Sequence, residues 1–114
     1  MTVLFGGAWQ GKHDYLHAQY PDLPPQQLVD NLHLWVREQL AAGGDPVAYI
    51  QDHIDDYRDK VILCTDISCG LVPLSAEERA WREAVGRCMA LLCARANRVV
   101  RIFCGIPTIL KEKE

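Results

Sequence analysis

Thr2-Val3-Leu4-Phe5 followed by Gly6-Gly7-Ala8-Trp9-Gln10-Gly11-Lys12-His13 is the stretch on which the fold turns. The apolar, partly β-branched opening predicts a short buried strand. The glycines after it punctuate a loop that feeds a helix running to about Tyr20. The loop fits G-x-x-x-x-G-K and lies between strand and helix, the context that pattern requires. Glycine is needed there because the backbone must pass close to phosphate oxygens with its N–H groups turned inward, while the helix start adds the positive end of a dipole. Gly6, Gly7, Ala8, Trp9, Gln10, Gly11, Lys12 and His13 are therefore the candidate nucleotide-binding residues, with Lys12 reaching the β- and γ-phosphates.

The position after the lysine calls for Ser or Thr, whose hydroxyl helps hold Mg²⁺ against those phosphates. His13 stands there instead. Imidazole is a poor ligand for a hard cation that prefers oxygen, which puts Mg²⁺-assisted phosphoryl transfer in question even where phosphate binding is kept. The competing reading is a tight strand-to-helix turn that carries its glycines for backbone reasons alone. Trp9, inside the loop, either stacks on a base or packs against a neighbouring helix or subunit, and its large surface favours packing.

Outward from the loop, Pro21, Pro24 and Pro25 break the chain. From Pro25, Leu28, Leu32, Trp35, Val36 and Leu40 recur at helical spacing until Gly43-Gly44. Asp45-Pro46 is an N-cap with a first-turn proline, and Val47, Ile50, Ile54 and Tyr57 line one face of the helix after it. Lys60 to Cys64 is a continuous apolar run suited to an interior parallel strand. Ser75 and Glu78 form a capping box, and Trp81, Ala84, Val85, Cys88, Leu91 and Leu92 supply the buried stripe of a long helix. Arg98 to Cys104 predicts a third strand ending at Gly105-Ile106-Pro107, with Lys-Glu-Lys-Glu as a solvated tail. Strands separated by helices imply right-handed crossovers. The expected fold is α/β, a minimal three-layer phosphate-loop (P-loop NTPase-like) unit with a small parallel sheet, one domain over residues 1–114.

The chain has 114 residues, 49% of them hydrophobic, enough for one compact core. Its net charge of −3, with both signs interspersed, leaves no basic stripe for nucleic acid. No apolar run approaches the roughly 20 residues that cross a bilayer, and no export signal is legible, so a cytoplasmic protein without a membrane partner is expected. Five cysteines (Cys64, Cys69, Cys88, Cys93, Cys104) make an odd count without short metal-ligand spacing. They read as structural thiols in a reducing compartment, and no metal ligands are assigned.

A second segment narrows the field: Leu63-Cys64-Thr65-Asp66-Ile67-Ser68-Cys69-Gly70-Leu71-Val72-Pro73, then Arg79-Ala80-Trp81-Arg82-Glu83-Ala84-Val85-Gly86-Arg87. With Leu28-Val29-Asp30-Asn31-Leu32-His33-Leu34-Trp35 and Arg101-Ile102-Phe103-Cys104-Gly105-Ile106-Pro107-Thr108-Ile109-Leu110-Lys111, it resembles the adenosylcobinamide kinase/adenosylcobinamide-phosphate guanylyltransferase family. In that family a strand ends in S-N-E-V-G-x-G-I-V-P and is followed by R-x-F-R-D-x-x-G-R. The resemblance implies an enzyme of cobalamin assembly that phosphorylates adenosylcobinamide and then transfers GMP to it through a guanylylated histidine. It implies ATP or GTP as cofactor, with Mg²⁺ or a substitute, a nucleotide and a corrinoid as partners, and a homo-oligomer.

Residue by residue, the match is uneven. Thr65-Asp66 stands where the family has Asn-Glu, leaving Lys12 and Asp66 as catalytic candidates, the latter as general base or metal carboxylate. Arg79, Arg82 and Arg87 keep the family pattern and are candidate anion or substrate ligands. The alternative is that they pair with Glu77, Glu78 and Glu83 on a solvated helix face. Met89-Ala90 replaces a polar Asn-Gln pair. Asp30 falls at the place of a family carboxylate, but Pro24 and Pro25 leave little room for a strand before it and put it in a helix. The nucleophilic-histidine helix belongs between Tyr20 and Leu28, where only Pro-Asp-Leu-Pro-Pro-Gln-Gln is found, and His13, His17, His33 and His53 lie in other contexts. Covalent guanylyl transfer has no nucleophile to proceed through. The expected function is a nucleotide-binding protein of the cobinamide-kinase type without guanylyltransferase activity, with kinase activity open; the alternative is a non-catalytic regulatory or partner subunit descended from the same family.

Overall fold

The computed structural model describes residues 1–7, 11–67 and 75–113. Within them lie five strands and four α-helices: β1 (Thr2–Gly6), α1 (Lys12–Gln19), β2 (Leu28–Val29), α2 (Leu32–Ala41), α3 (Pro46–Asp52), β3 (Val61–Thr65), α4 (Ala76–Arg95), β4 (Arg98–Phe103) and β5 (Ile106–Glu112). The strands form one sheet in the order β2-β3-β1-β4-β5, parallel except for β5. β1 is central, pairing Thr2 with both Val61 and Arg98.

Strand alternation divides the core in two. Val3, Ile62, Cys64 and Val99 pack against α2, α3 and α4 through Leu32, Val36, Ile50, Val85, Cys88 and Leu92. Leu4, Leu63, Val100 and Ile102 point the other way, towards Leu16 of α1. The continuous apolar reading of β3 is explained by this double cover, since four of its five residues are buried. The two anticipated caps form: the Asp45 carboxylate accepts the Ala48 N–H at 3.1 Å, and Ser75 Oγ accepts the Glu78 N–H at 3.1 Å.

The sheet is larger than the three strands read from the sequence. Leu28 and Val29 do not open a helix: after a 3₁₀ turn at Pro25–Gln27 they pair with Val61 and Ile62, and the helix begins only at Leu32. Prolines suit such a turn because they preset φ and donate no N–H. At the other end, the chain folds back as β5 rather than leaving as a tail, so Lys111 and Glu112 belong to a strand. Cys104 and Gly105 both have positive φ, 52° and 75°, the pairing that closes a two-residue hairpin with the twist of its strands.

Gly6, the last residue of β1, is held to glycine by its neighbour: a Cβ there would lie 2.3 Å from the Ile102 carbonyl oxygen of β4. Gly6→Ala must therefore splay β1 from β4 and is expected to destabilise the fold by about 2 kcal/mol or more. The check is the urea unfolding midpoint, which should fall well below that of the parent protein.

Candidate functional site

In an open α/β sheet, ligands gather in the crevice at the carboxyl ends of the strands where the chain's direction of winding reverses. Here that crevice lies between β1 and β3, because α1 leaves towards one face and α4 covers the other. Three strands deliver a polar residue to this edge. β1 leads through the glycine loop to Lys12 and His13, β2 ends one residue before Asp30, and β3 ends one residue before Asp66.

Of the loop, Gly6, Gly7, Gly11, Lys12 and His13 are described, while Ala8, Trp9 and Gln10 lie outside the described residues. Gly11 sits at φ 90° and precedes the first turn of α1. A Cβ on it would come 3.2 Å from Gly105 Cα, so the β4–β5 hairpin forms a wall beside the loop. Lys12 is only 7% exposed, an uncommon place for an ammonium, and its Nζ donates to the Gly7 carbonyl oxygen at 2.8 Å. Burial pushes its pKa down, partly offset by Cys64 and Asp30. The lysine thus bridges the two ends of the loop.

Asp30 is not helical: it follows β2 directly and faces the loop across the crevice. His13 Nε2 lies 3.3 Å and 3.2 Å from its two carboxylate oxygens, with both side chains open to solvent. Mg²⁺, which the loop pattern calls for, fits this donor set badly, since a nitrogen lone pair occupies the place of the hydroxyl. Asp66 is half-buried, and its N–H donates to the Gly6 carbonyl oxygen at 2.7 Å, which ties the end of β3 to the start of the loop.

Asp66 also lines a cleft of about 350 Å³ between the sheet and α4, made mainly by apolar groups including Phe5, Val85, Met89 and Cys93, together with Arg82. The three arginines part company. Arg82 reaches this cleft, Arg79 is exposed near the start of α4, and Arg87 lies on the outer face with Glu83 at 2.7 Å. Met89 and Ala90 line the cleft and make it apolar.

His33, to which the sequence assigns no role as a nucleophile, lies beside the site as a structural group. It is buried, and its Nδ1 accepts the Thr65 N–H at 3.2 Å, fixing the residue before Asp66. Trp81 Nε1 donates to the His33 carbonyl oxygen at 2.8 Å, and the Arg37 guanidinium stacks 4.0 Å above the Trp81 ring. An accepting Nδ1 requires the neutral ring, and burial, aided by Lys12, lowers the His33 pKa from its ordinary value. Its spacing to Leu32 and Val36 was the available signal, since it falls on the inward face of α2. His17 is exposed on α1, and His53 ends α3 stacked on Tyr49.

Burial raises the thiols of Cys64, to about 12, and Cys88, to about 11, which makes both inert packing groups. Cys69 lies outside the described residues. No group of three or more His, Cys, Asp or Glu among the described residues is placed to hold a metal by itself. No helix among them is long and apolar enough to cross a membrane.

A mostly parallel sheet flanked by helices, with a glycine loop joining its central strand to a helix and carboxylates at the adjoining strand ends, defines an α/β protein compatible with a P-loop-like domain. The model of the family described as cobinamide kinase / cobinamide phosphate guanyltransferase matches residues 8–110, and the chain belongs to that family. No individual curated protein gives a significant match. Membership places the chain with the chemistry of cobalamin biosynthesis.

Two outcomes follow from the buried polar groups. Because His33 stays neutral in the fold while its unfolded form gains a proton below about pH 6.5, stability is fully present above that value and falls on acidification. Urea midpoints between pH 7.5 and 5.0 should show this slope, and His33→Asn, which keeps an acceptor near Nδ1, should flatten it. Lys12→Met removes a buried ammonium, so it is expected to leave the thermal midpoint unchanged or raise it, a result that calorimetry reads directly.

Proposed function

We propose that this protein binds the triphosphate of ATP or GTP at the glycine loop and retains the kinase-type half of its family's chemistry without guanylyl transfer. The observation that carries the reading is Lys12: a lysine buried at the foot of a glycine loop, with its ammonium on the loop's own carbonyl oxygen, is poised to exchange that oxygen for those of a phosphate. Such a contact supplies fixed positive charge where a transferring phosphoryl group develops negative charge. Asp66, anchored through its backbone to Gly6, is the group we assign to the acceptor hydroxyl as general base.

The apolar cleft beside Asp66 is at the small end of the range for ligand pockets, roughly 300–1,000 Å³. We assign it to an arm of a corrinoid acceptor rather than to the whole macrocycle, with Arg82, one of its lining residues, for an anionic group. Arg79 and Arg87 are given no direct role. The exposed apolar end of the β4–β5 hairpin (Phe103, Ile106, Ile109 and Leu110) supports assembly of several copies.

A second reading, a non-catalytic partner subunit that binds nucleotide without turning it over, is favoured by His13 in the place of the loop hydroxyl. Titration calorimetry with ATP and GTP, followed by an assay for cobinamide phosphorylation, separates the two. Saturable binding that is lost in Lys12→Ala, by roughly a hundredfold or more in Kd, supports the loop assignment. Product formation that disappears in Asp66→Asn supports the kinase. Binding without product leaves the nucleotide-binding partner subunit, and no binding of either nucleotide to folded protein refutes the nucleotide reading and leaves only a structural partner subunit.

A further inference from the structure

The geometry points to His13 and Asp30 as two ligands of a borderline first-row dication of the Zn²⁺ class, completed by the phosphate oxygens of the bound nucleotide, so that this loop selects against Mg²⁺. The inference rests on the nucleotide-binding reading above and names the ion that such a nucleotide would bring.

Three features of the site carry it. The first is spacing. Donors about 2.1 Å from a common ion lie about 3.0 Å apart at a right angle and about 3.4 Å apart at a tetrahedral one. His13 Nε2 hydrogen-bonds the Asp30 carboxylate at 3.3 Å and 3.2 Å from its two oxygens, between those limits, so a dication binding both would take the place of the shared proton. The second is donor chemistry: imidazole nitrogen with carboxylate oxygen suits borderline dications, whereas Mg²⁺ keeps to oxygen and waters. The third is charge. A triphosphate arriving beside Lys12 also meets the Asp30 carboxylate, which lies 3.2 Å from Nε2 of the very next residue, His13. Like charges at that range repel unless a cation lies between them. Both side chains are open to solvent, with 54% and 37% of their surface exposed, so an ion carried by the nucleotide can reach them without unfolding anything. Two protein ligands hold a metal weakly. The ion is therefore expected to bind as the metal–nucleotide complex and not to the protein alone.

The test is titration calorimetry of the full chain with ATP in four buffers: chelator only, Mg²⁺, Mn²⁺ and Zn²⁺. It is repeated for His13→Ser and Asp30→Asn, with circular dichroism to confirm that each variant is folded. The expected result is a Kd at least roughly tenfold tighter with Zn²⁺ than with Mg²⁺. That order should reverse in His13→Ser and vanish in Asp30→Asn. Electron paramagnetic resonance of the Mn²⁺–ATP complex should broaden on adding the parent protein but much less on adding Asp30→Asn. ATP binding of equal strength in all four buffers, or a preference for Mg²⁺ in the parent chain, overturns the inference and leaves the nucleotide reading standing. A preference that survives unchanged in His13→Ser overturns it as well. Absence of ATP binding by folded protein in every buffer overturns the nucleotide reading and this inference together.

Discussion

The close passage of β1 against β4 is the constraint on which the site is built. At Gly6 the two backbones approach so nearly that no side chain fits between them, and Gly11 then meets the β4–β5 hairpin at Gly105. Gly6 and Gly11 are thus both held by backbone sterics, and Lys12 takes its place directly after the second of them. The helix after the loop contributes little packing of its own, burying only Lys12 and Leu16. The position of the site thus depends on the sheet more than on α1.

Around that fixed edge, neighbouring strands add polar groups in a graded series of burial. Lys12 and His33 are enclosed, Asp66 is half-covered, and Asp30 and His13 face solvent. The enclosed groups hold geometry: Lys12 ties the loop to itself, and His33 ties α2 to the end of β3. The exposed ones, His13 and Asp30, are open to solvent without any rearrangement. Burying a cation and a histidine costs stability that an apolar pair would not.

Elements with strong local signals were legible in the chain. The caps at Asp45 and Ser75, the apolar run of β3 and the stripe of α4 all follow from one-residue or one-turn rules, and they appear where those rules place them. Two strands were not legible. β2 has two residues and exists because Val61 and Ile62 offer it a partner. β5 is mostly exposed and exists because a two-residue turn returns it to β4. Neither carries a pattern that periodicity can register, since pairing with a distant strand makes them. The same is true of the site: Lys12, His13, Asp66 and Asp30 stood out by motif or resemblance, whereas the setting of Asp30 after a strand and the contact of His33 with Thr65 come from strand ends that only the folded sheet brings together.

The order of residues alone determined the chemistry on offer: a glycine loop with its lysine, a histidine in place of a hydroxyl, and the shortened carboxylate at the end of the third strand. Those properties reside in side-chain identity and in local backbone preference, which need no partner. Tertiary structure decided which groups meet. His13 finds Asp30 and His33 finds Thr65 across 17 and 32 residues of chain, because parallel strands bring their carboxyl ends to one edge whatever sequence separates them.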